Sequence, residues 1–600
     1  MPENRELSAS GKLAVHGLSE AQKAGENMAL EAIVCDATVA ESKTSGASDR
    51  AKQELPYQLD STSTIRRGSK DHQSPVFPPW MKSSATTPNP PSLDTLVLES
   101  IESTHRALIL GFGFLSLMVQ CLTHTSAQWY SRNMWDTSIM SVTKKVRKFH
   151  IGMALVFQHR VLAFVTIDLL FQPTWARHIS DIYIPPNIYT STVAFLGLVA
   201  SWIDTVLSGG KSRLACDAIR EANQIFYGIG VYTVMELFFM AGLSPFLTVV
   251  EVFSSPSRTA RFLAAFYTYV REGEENLWSL LRRCVHDGVL APTTKQRLRY
   301  MDWLYVWGKS VVLVSRRMGG LVDGFHSVID EFTDMAATLC RRDVANLFDV
   351  FEPTLIAPAL KIGHNFALHI FGEQEWLGMG GDASVGDDPL TVVYRKHGLL
   401  QNSTKLAPNF YHPLILDKSE LTLARRTTFT FHGQKEMWSV TRNFPPALHA
   451  GPQNLGDVPK IREIVGSERH NMLFKSIVEN TQGVSIGPLE YCGNGHIVHV
   501  GSIPQLAVCK GDPTIPKYFE ERMLRGLNRI STKLEAPGRQ KRARTGKENK
   551  VLVNTLSTLE AGYQRAGTSG GHTGGSENGI EPAPKKRRLN ADQRLALHKM

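Results

Sequence analysis

Cysteine is scarce, with seven among 600 residues, at Cys35, Cys121, Cys216, Cys284, Cys340, Cys492 and Cys509. An odd, widely spaced set excludes a disulfide framework and predicts buried structural thiols in a reducing compartment. Charge is also thin, at 20% of the chain against 42% apolar residues, and that apolar content excludes wholesale disorder. The first nine residues have no apolar core segment, so no secretory signal is expected. No internal repeat of fixed period is present, and Gly-x-Ser-x-Gly and His-Glu-x-x-His are both missing. No catalysis, cofactor or metal is expected from these motifs.

What charge there is lies at one end. The net charge is +10, of which +8 falls in residues 533–600 and +2 in residues 1–532. Two clusters make up most of it: Arg539, Lys541, Arg542 and Arg544, then Lys585, Lys586, Arg587 and Arg588. A mobile polycation gains from counterion release on nucleic acid, and the second cluster equally fits a nuclear import signal. A third basic run, Lys144–Lys148, suits either a basic surface or a solvated helix start.

Composition divides the chain into four. Residues 1–92 are polar and end in dense proline, which predicts a flexible arm. Residues 93–371 carry apolar runs, among them Ala107–Leu122, Ile151–Phe171, Val193–Leu207, Ile225–Phe253 and Phe262–Leu281, separated by breakers such as Ser255-Pro256. They predict a helical domain. Residues 372–532 are loop-rich, with β-like stretches at Leu390–Tyr394, Arg426–Phe431, Met437–Val440 and His496–Val500, and a last helix at Pro516–Ile530. Residues 533–600 are expected to form a disordered basic tail. The expected class is mostly α (α+β).

Four constellations invite chemistry. Gly386-Asp387-Asp388 spells a two-metal polymerase signature, but Pro389 follows and no strand flanks it, so a turn is expected. Cys492, His496, His499 and Cys509 have zinc-binding residue types in a spacing that matches no finger or knuckle, which favours a hairpin. Gly378, Gly380 and Gly381 lack the Lys-Ser/Thr of a phosphate loop. The apolar run Ala107–Leu122 is too short to span a bilayer, and Asp168, Asp204 and Glu236 interrupt others, so a multi-span membrane protein is the least favoured class.

The segment Arg177–Tyr189, with Pro185-Pro186-Asn187 leading into an apolar helix, resembles coat proteins of fungal partitiviruses, in order and texture over about residues 95–370. The resemblance implies a structural, non-enzymatic protein that forms homodimers and assembles into a shell around double-stranded RNA. RNA would meet the basic segments, with a viral polymerase as a further partner and no membrane, in the virion and host cytoplasm. An apolar body without enzyme motifs agrees, because it has surface to bury against copies of itself. The alternative is a nuclear or nucleic-acid-associated cellular protein using Lys585–Arg588 for import.

Overall fold

A computed structural model describes residues 3–290 apart from short segments, then 300–305, 312–314, 351–400 with brief gaps, and 425–427. Residues Met1–Arg525 form one compact unit and Gly526–Met600 a second; every described residue belongs to the first.

The chain begins with helix α1 (Asn4–Lys23), where a polar arm was expected. Leu7, Leu13, Ala14, Leu18 and Ala21 recur at helical spacing and are buried, and α1 packs on strands β5 and β8 (Ser100–Ser103 and Thr125–Ser131) and on the long helix α6 (Pro256–Leu281). The arm is therefore corrected: most of residues 3–83 is folded. Strands β1 (Ala32–Cys35), β2 (Tyr57–Leu59) and the hairpin β3–β4 (Arg66–Ser69, His72–Pro75) follow α1. Even the proline-rich stretch contributes a turn at Pro79–Met81 that buries Met81.

The helical expectation fails over the first two apolar runs. Ala107–Leu122 is a hairpin of β6 (Ala107–Gly111) and β7 (Ser116–Cys121), turned at Gly113 with φ +74. Ile151–Phe171 divides between β9 (His150–Val156), β10 (Arg160–Thr166) and the start of β11 (Phe171–Ala176). Strands covered on both faces read as continuous apolar runs, which periodicity alone does not separate from buried helix. The strands form two antiparallel sheets, ordered β2-β1-β9-β10-β8 and β11-β7-β6-β5. Pro173 sits on the edge strand β11, opposite Val119, where a missing N–H is tolerated.

Alternation decides the layering. Ile33, Leu155, Leu162 and Trp129 from the first sheet join Leu108, Leu110, Leu117 and Val119 from the second in one core cluster, while Val34, Ala154, Val161 and Ala163 pack on the opposite face of the first sheet. The same main cluster continues into the helices, α2 (Thr192–Gly209), α3 (Ala215–Glu221), α4 (Val231–Met240), α5 (Val249–Phe253) and α6, and then α7 (Phe366–Phe371), α8 (Glu373–Gly378) and α9 (Pro389–Lys396). The fold is mixed α/β: after α1 the sheets come first and the remaining helices follow. Ser255, one step before Pro256, caps α6 through its hydroxyl.

Leu390–Tyr394, expected as strand, is helix α9. Asp388 accepts from the Thr391 amide at 2.7 Å and fixes its first turn. A capping Asp before Pro at the first helical position outweighs the local β-propensity.

Candidate functional site

The strongest concentration of buried polar chemistry is at the start of α1. Glu3 through Glu6 are all buried, although every one is polar or charged. The Glu3 amide donates to the Glu6 carboxylate, which closes the helix start. The Glu3 carboxylate accepts from the amides of Tyr232 at 3.3 Å and Thr233 at 2.8 Å, in the first turn of α4. That is the electropositive end of a helix, and it holds the carboxylate in place.

Two glycines make the approach possible. A Cβ on Gly230 would lie 2.1 Å from Glu3 Oε1, and one on Gly228, already at φ +75, would press on Asn4 at 3.0 Å. The Gly228 carbonyl accepts from the Asn4 amide at 2.8 Å. The loop before α4 is thus shaped to receive residues 3 and 4.

Glu3 lines a small cavity of about 20 Å3 together with Arg106, Cys121, Asn223, Phe226, Gly228, Ile229 and Gly230. That is room for one water. Burial pushes the Glu3 carboxyl above the usual carboxylate range, against the opposing pull of the Thr233 and Tyr232 contacts. Burial also lowers the Arg106 guanidinium, which stands 5.8 Å from the Tyr227 ring centre and has no carboxylate partner among the described residues. Neither polar atom of the buried Asn4 amide finds a partner among the described residues. A buried acid beside a cation with no carboxylate partner among the described residues is suited to proton transfer and anion stabilisation.

The supporting layer is rigid. Arg5 is fully buried, stacks 3.6 Å from the Tyr269 ring centre, and donates to Glu272 at 2.9 Å and to the carbonyls of Tyr269 and Trp303. Burial opposes its charge, but Tyr269, Tyr300 and Glu272 outweigh that and keep it protonated. Beside Arg106, His105 is buried against Phe266, and burial pulls it down to about 4. Its folded value is below the ordinary 6.5, so the unfolded chain binds the extra proton between those limits. Stability is therefore expected to fall as pH drops from about 6.5 to about 4, by up to about 1.4 kcal/mol per pH unit, and urea titrations of His105→Gln should show a flatter profile. An unchanged slope would assign the acid loss to other groups.

The residues singled out from sequence lie elsewhere. Arg539, Lys541, Arg542, Arg544, Lys585, Lys586, Arg587 and Arg588 fall outside the described residues, as do Lys144–Lys148 and Cys492, His496, His499 and Cys509. In the aspartate signature, Gly386 has φ +91, Asp387 pairs with Arg395, and Asp388 caps α9 while lying 3.9 Å from His369. These carboxylates are engaged in a turn, as the proline predicted. The glycines after α8 also form a turn, with Gly380 at φ +79 and Gly381 against Trp376. Among the described residues no group of His, Cys, Asp and Glu is arranged to hold a metal. Cys35, Cys121, Cys216 and Cys284 are buried and form no disulfide, as expected of structural thiols.

Comparison with known proteins gives little. No family model matches the sequence. No curated protein matches it. Among solved structures, the chain is similar to a complex of the Lactococcus lactis Fpg with DNA containing an abasic site, at 11% identity and TM-score 0.31, covering 52% of this chain and 94% of that one. MutM bound to DNA containing carbocyclic 8-oxo-G gives 10% identity, TM-score 0.31 and the same coverage. MutM (Fpg) from Thermus thermophilus gives 14% identity and TM-score 0.28 over 46% of this chain and 76% of that one. A likeness this slight carries no argument about the site.

Proposed function

We propose that the chain is a nucleic-acid-associated protein with an acid–base centre at Glu3. One observation carries the proposal: Glu3 is wholly buried, raised above the usual carboxylate range and fixed by two amides in a cavity it shares with Arg106 and Asn223. Such a group donates a proton to a leaving atom while the guanidinium offsets developing negative charge. The +8 of residues 533–600 supports a polyanionic partner.

The test uses end-labelled duplex DNA, intact or carrying a single abasic site, as a polyanionic substrate with a bond that a buried acid can help to break. Strand cleavage by the full chain is expected, with Glu3→Gln lowering the rate roughly 100-fold or more while far-UV circular dichroism is unchanged. No cleavage by a folded wild type, or equal cleavage by the variant, removes the acid–base assignment.

A specific observation keeps the coat-protein reading as a second proposal. The segment that carries the resemblance exposes Ile179, Tyr183 and Ile184, apolar side chains available for self-association. Its weakness is that the apolar runs counted on for a subunit interface already bury one another within the chain. Light scattering separates the two: megadalton particles establish a shell, and a monomer or dimer at near-physiological salt ends that reading. One described helix, Thr192–Gly209, is long and apolar enough to cross a membrane by length and composition, with 28% of it buried. The runs Ala107–Leu122 and Ile151–Phe171 are core strands instead of spans.

A further inference from the structure

Away from Glu3, one end of the sheet assembly gathers cations without counter-charges. Hairpin β3–β4 packs on the edge strand β11, and the Trp175 indole donates to the Val76 carbonyl at 3.0 Å just after the hairpin. This fixes the turn Pro79–Met81 beside the end of β11. There Arg177 lies 5.5 Å from the ring centre of the half-buried Trp80. From the hairpin, exposed Arg66 reaches the Gln73 carbonyl, and Lys70 stands exposed at the tip. Lys82 donates to the Ser63 carbonyl at 2.6 Å.

None of Arg66, Lys70, Lys82 or Arg177 pairs with a carboxylate among the described residues. Burial, and then the charge of Arg66, push the Lys82 ammonium down, as expected where like charges are close and unneutralised. Among the acids around these positions, Asp60 accepts from Thr62, Glu41 pairs with Arg67, Asp181 accepts from the His178 amide, and Asp71 follows Lys70 at the hairpin tip. Other arginines are matched, among them Arg67 on the same hairpin with Glu41, and Arg160 with Glu26. Leaving four cations unmatched on one rigid edge costs self-repulsion, which a polyanion relieves.

We infer that Arg66, Lys70, Lys82 and Arg177 form a docking surface for the phosphodiester backbone of nucleic acid. Arginine and lysine side chains at a fixed edge neutralise successive phosphates and release counterions, with no dependence on base sequence. Arg177 covers a face of Trp80, so the ring orients the guanidinium and does not present that face for base stacking. This surface rests on the nucleic-acid reading above, but it is independent of the chemistry assigned to Glu3.

The experiment is fluorescence anisotropy of a labelled duplex DNA against the full chain over a salt series. Arg66→Glu/Lys70→Glu/Arg177→Glu is expected to bind roughly tenfold or more weakly and to lower the slope of log affinity against log salt by about 2 to 3. Alanine replacement of Lys585–Arg588 is the comparison, and Arg66→Gln/Arg177→Gln repeats the patch test without reversed charge. If only the tail variant changes the slope, the patch is overturned while the nucleic-acid reading stands. A wild type that binds no DNA overturns both, and binding through these residues to phosphatidylserine vesicles but not to DNA overturns the nucleic-acid assignment.

Discussion

Replacing Arg5 by Ala is expected to cost about 3 kcal/mol or more, the range for breaking a buried charged network from one side. The guanidinium has no solvent exposure, whereas its partner Glu272 keeps 30% of its side chain in contact with solvent, which places the loss toward the lower end. Removing the cation strands Glu272, frees the carbonyls of Tyr269 and Trp303 and leaves the space above the Tyr269 ring empty. Urea unfolding should show a lower midpoint with an unchanged slope. Arg5→Met with Glu272→Leu should recover part of the loss, because the uncompensated charge goes too. A change in the single variant below about 1 kcal/mol would falsify the network's role, since a surface pair is worth no more than that.

The second large effect runs against intrinsic propensity. Gly17 is inside α1, where Ala is favoured over Gly by roughly 1 kcal/mol. Here a Cβ would stand 2.2 Å from Cδ1 and Nε1 of Trp129. That indole is 1% exposed and donates to the Ala14 carbonyl at 3.1 Å, so it has nowhere to go. Gly17→Ala should therefore destabilise by about 2 kcal/mol or more, in the range of overpacked cores. Gly197 in α2 is the control, because nothing lies within 4 Å of its Cβ position. Gly197→Ala should stabilise by roughly 0.5–1 kcal/mol. Thermal melts of both decide the matter, and equal signs would show that the packing at Trp129 is not limiting.

Helices α2 and α6 were legible in the sequence, because breakers set them apart, whereas α9 was read as a strand and only the turn before Pro389 was anticipated. The strands were not, because β9 and β10 are covered on both faces and their residues look the same to a periodicity test as a buried helix. The start of the chain misleads for another reason. Glu3, Asn4, Arg5 and Glu6 look solvent-seeking, but Glu3 meets residues 229 and 230 positions away and Arg5 meets one 264 positions away. Local composition carries no trace of such partners. Only the helical spacing of Leu7, Leu13, Ala14, Leu18 and Ala21 gives a signal there. The basic clusters remain a matter of composition, since they lie outside the described residues.

The contacts of α1 also constrain the order of events at the ribosome. Arg5 reaches the Trp303 carbonyl, 298 residues downstream. At about 5–20 residues per second, roughly 15–60 seconds pass between synthesis of the two partners. Strands β5 and β8 can cover part of the apolar stripe early, but the Arg5 cation is without the Trp303 carbonyl for that whole interval. The nascent chain is then a substrate for chaperones, and slowing of translation ahead of residue 303 would lengthen the exposure. The yield of folded chain is then expected to depend on synthesis rate as well as on final stability.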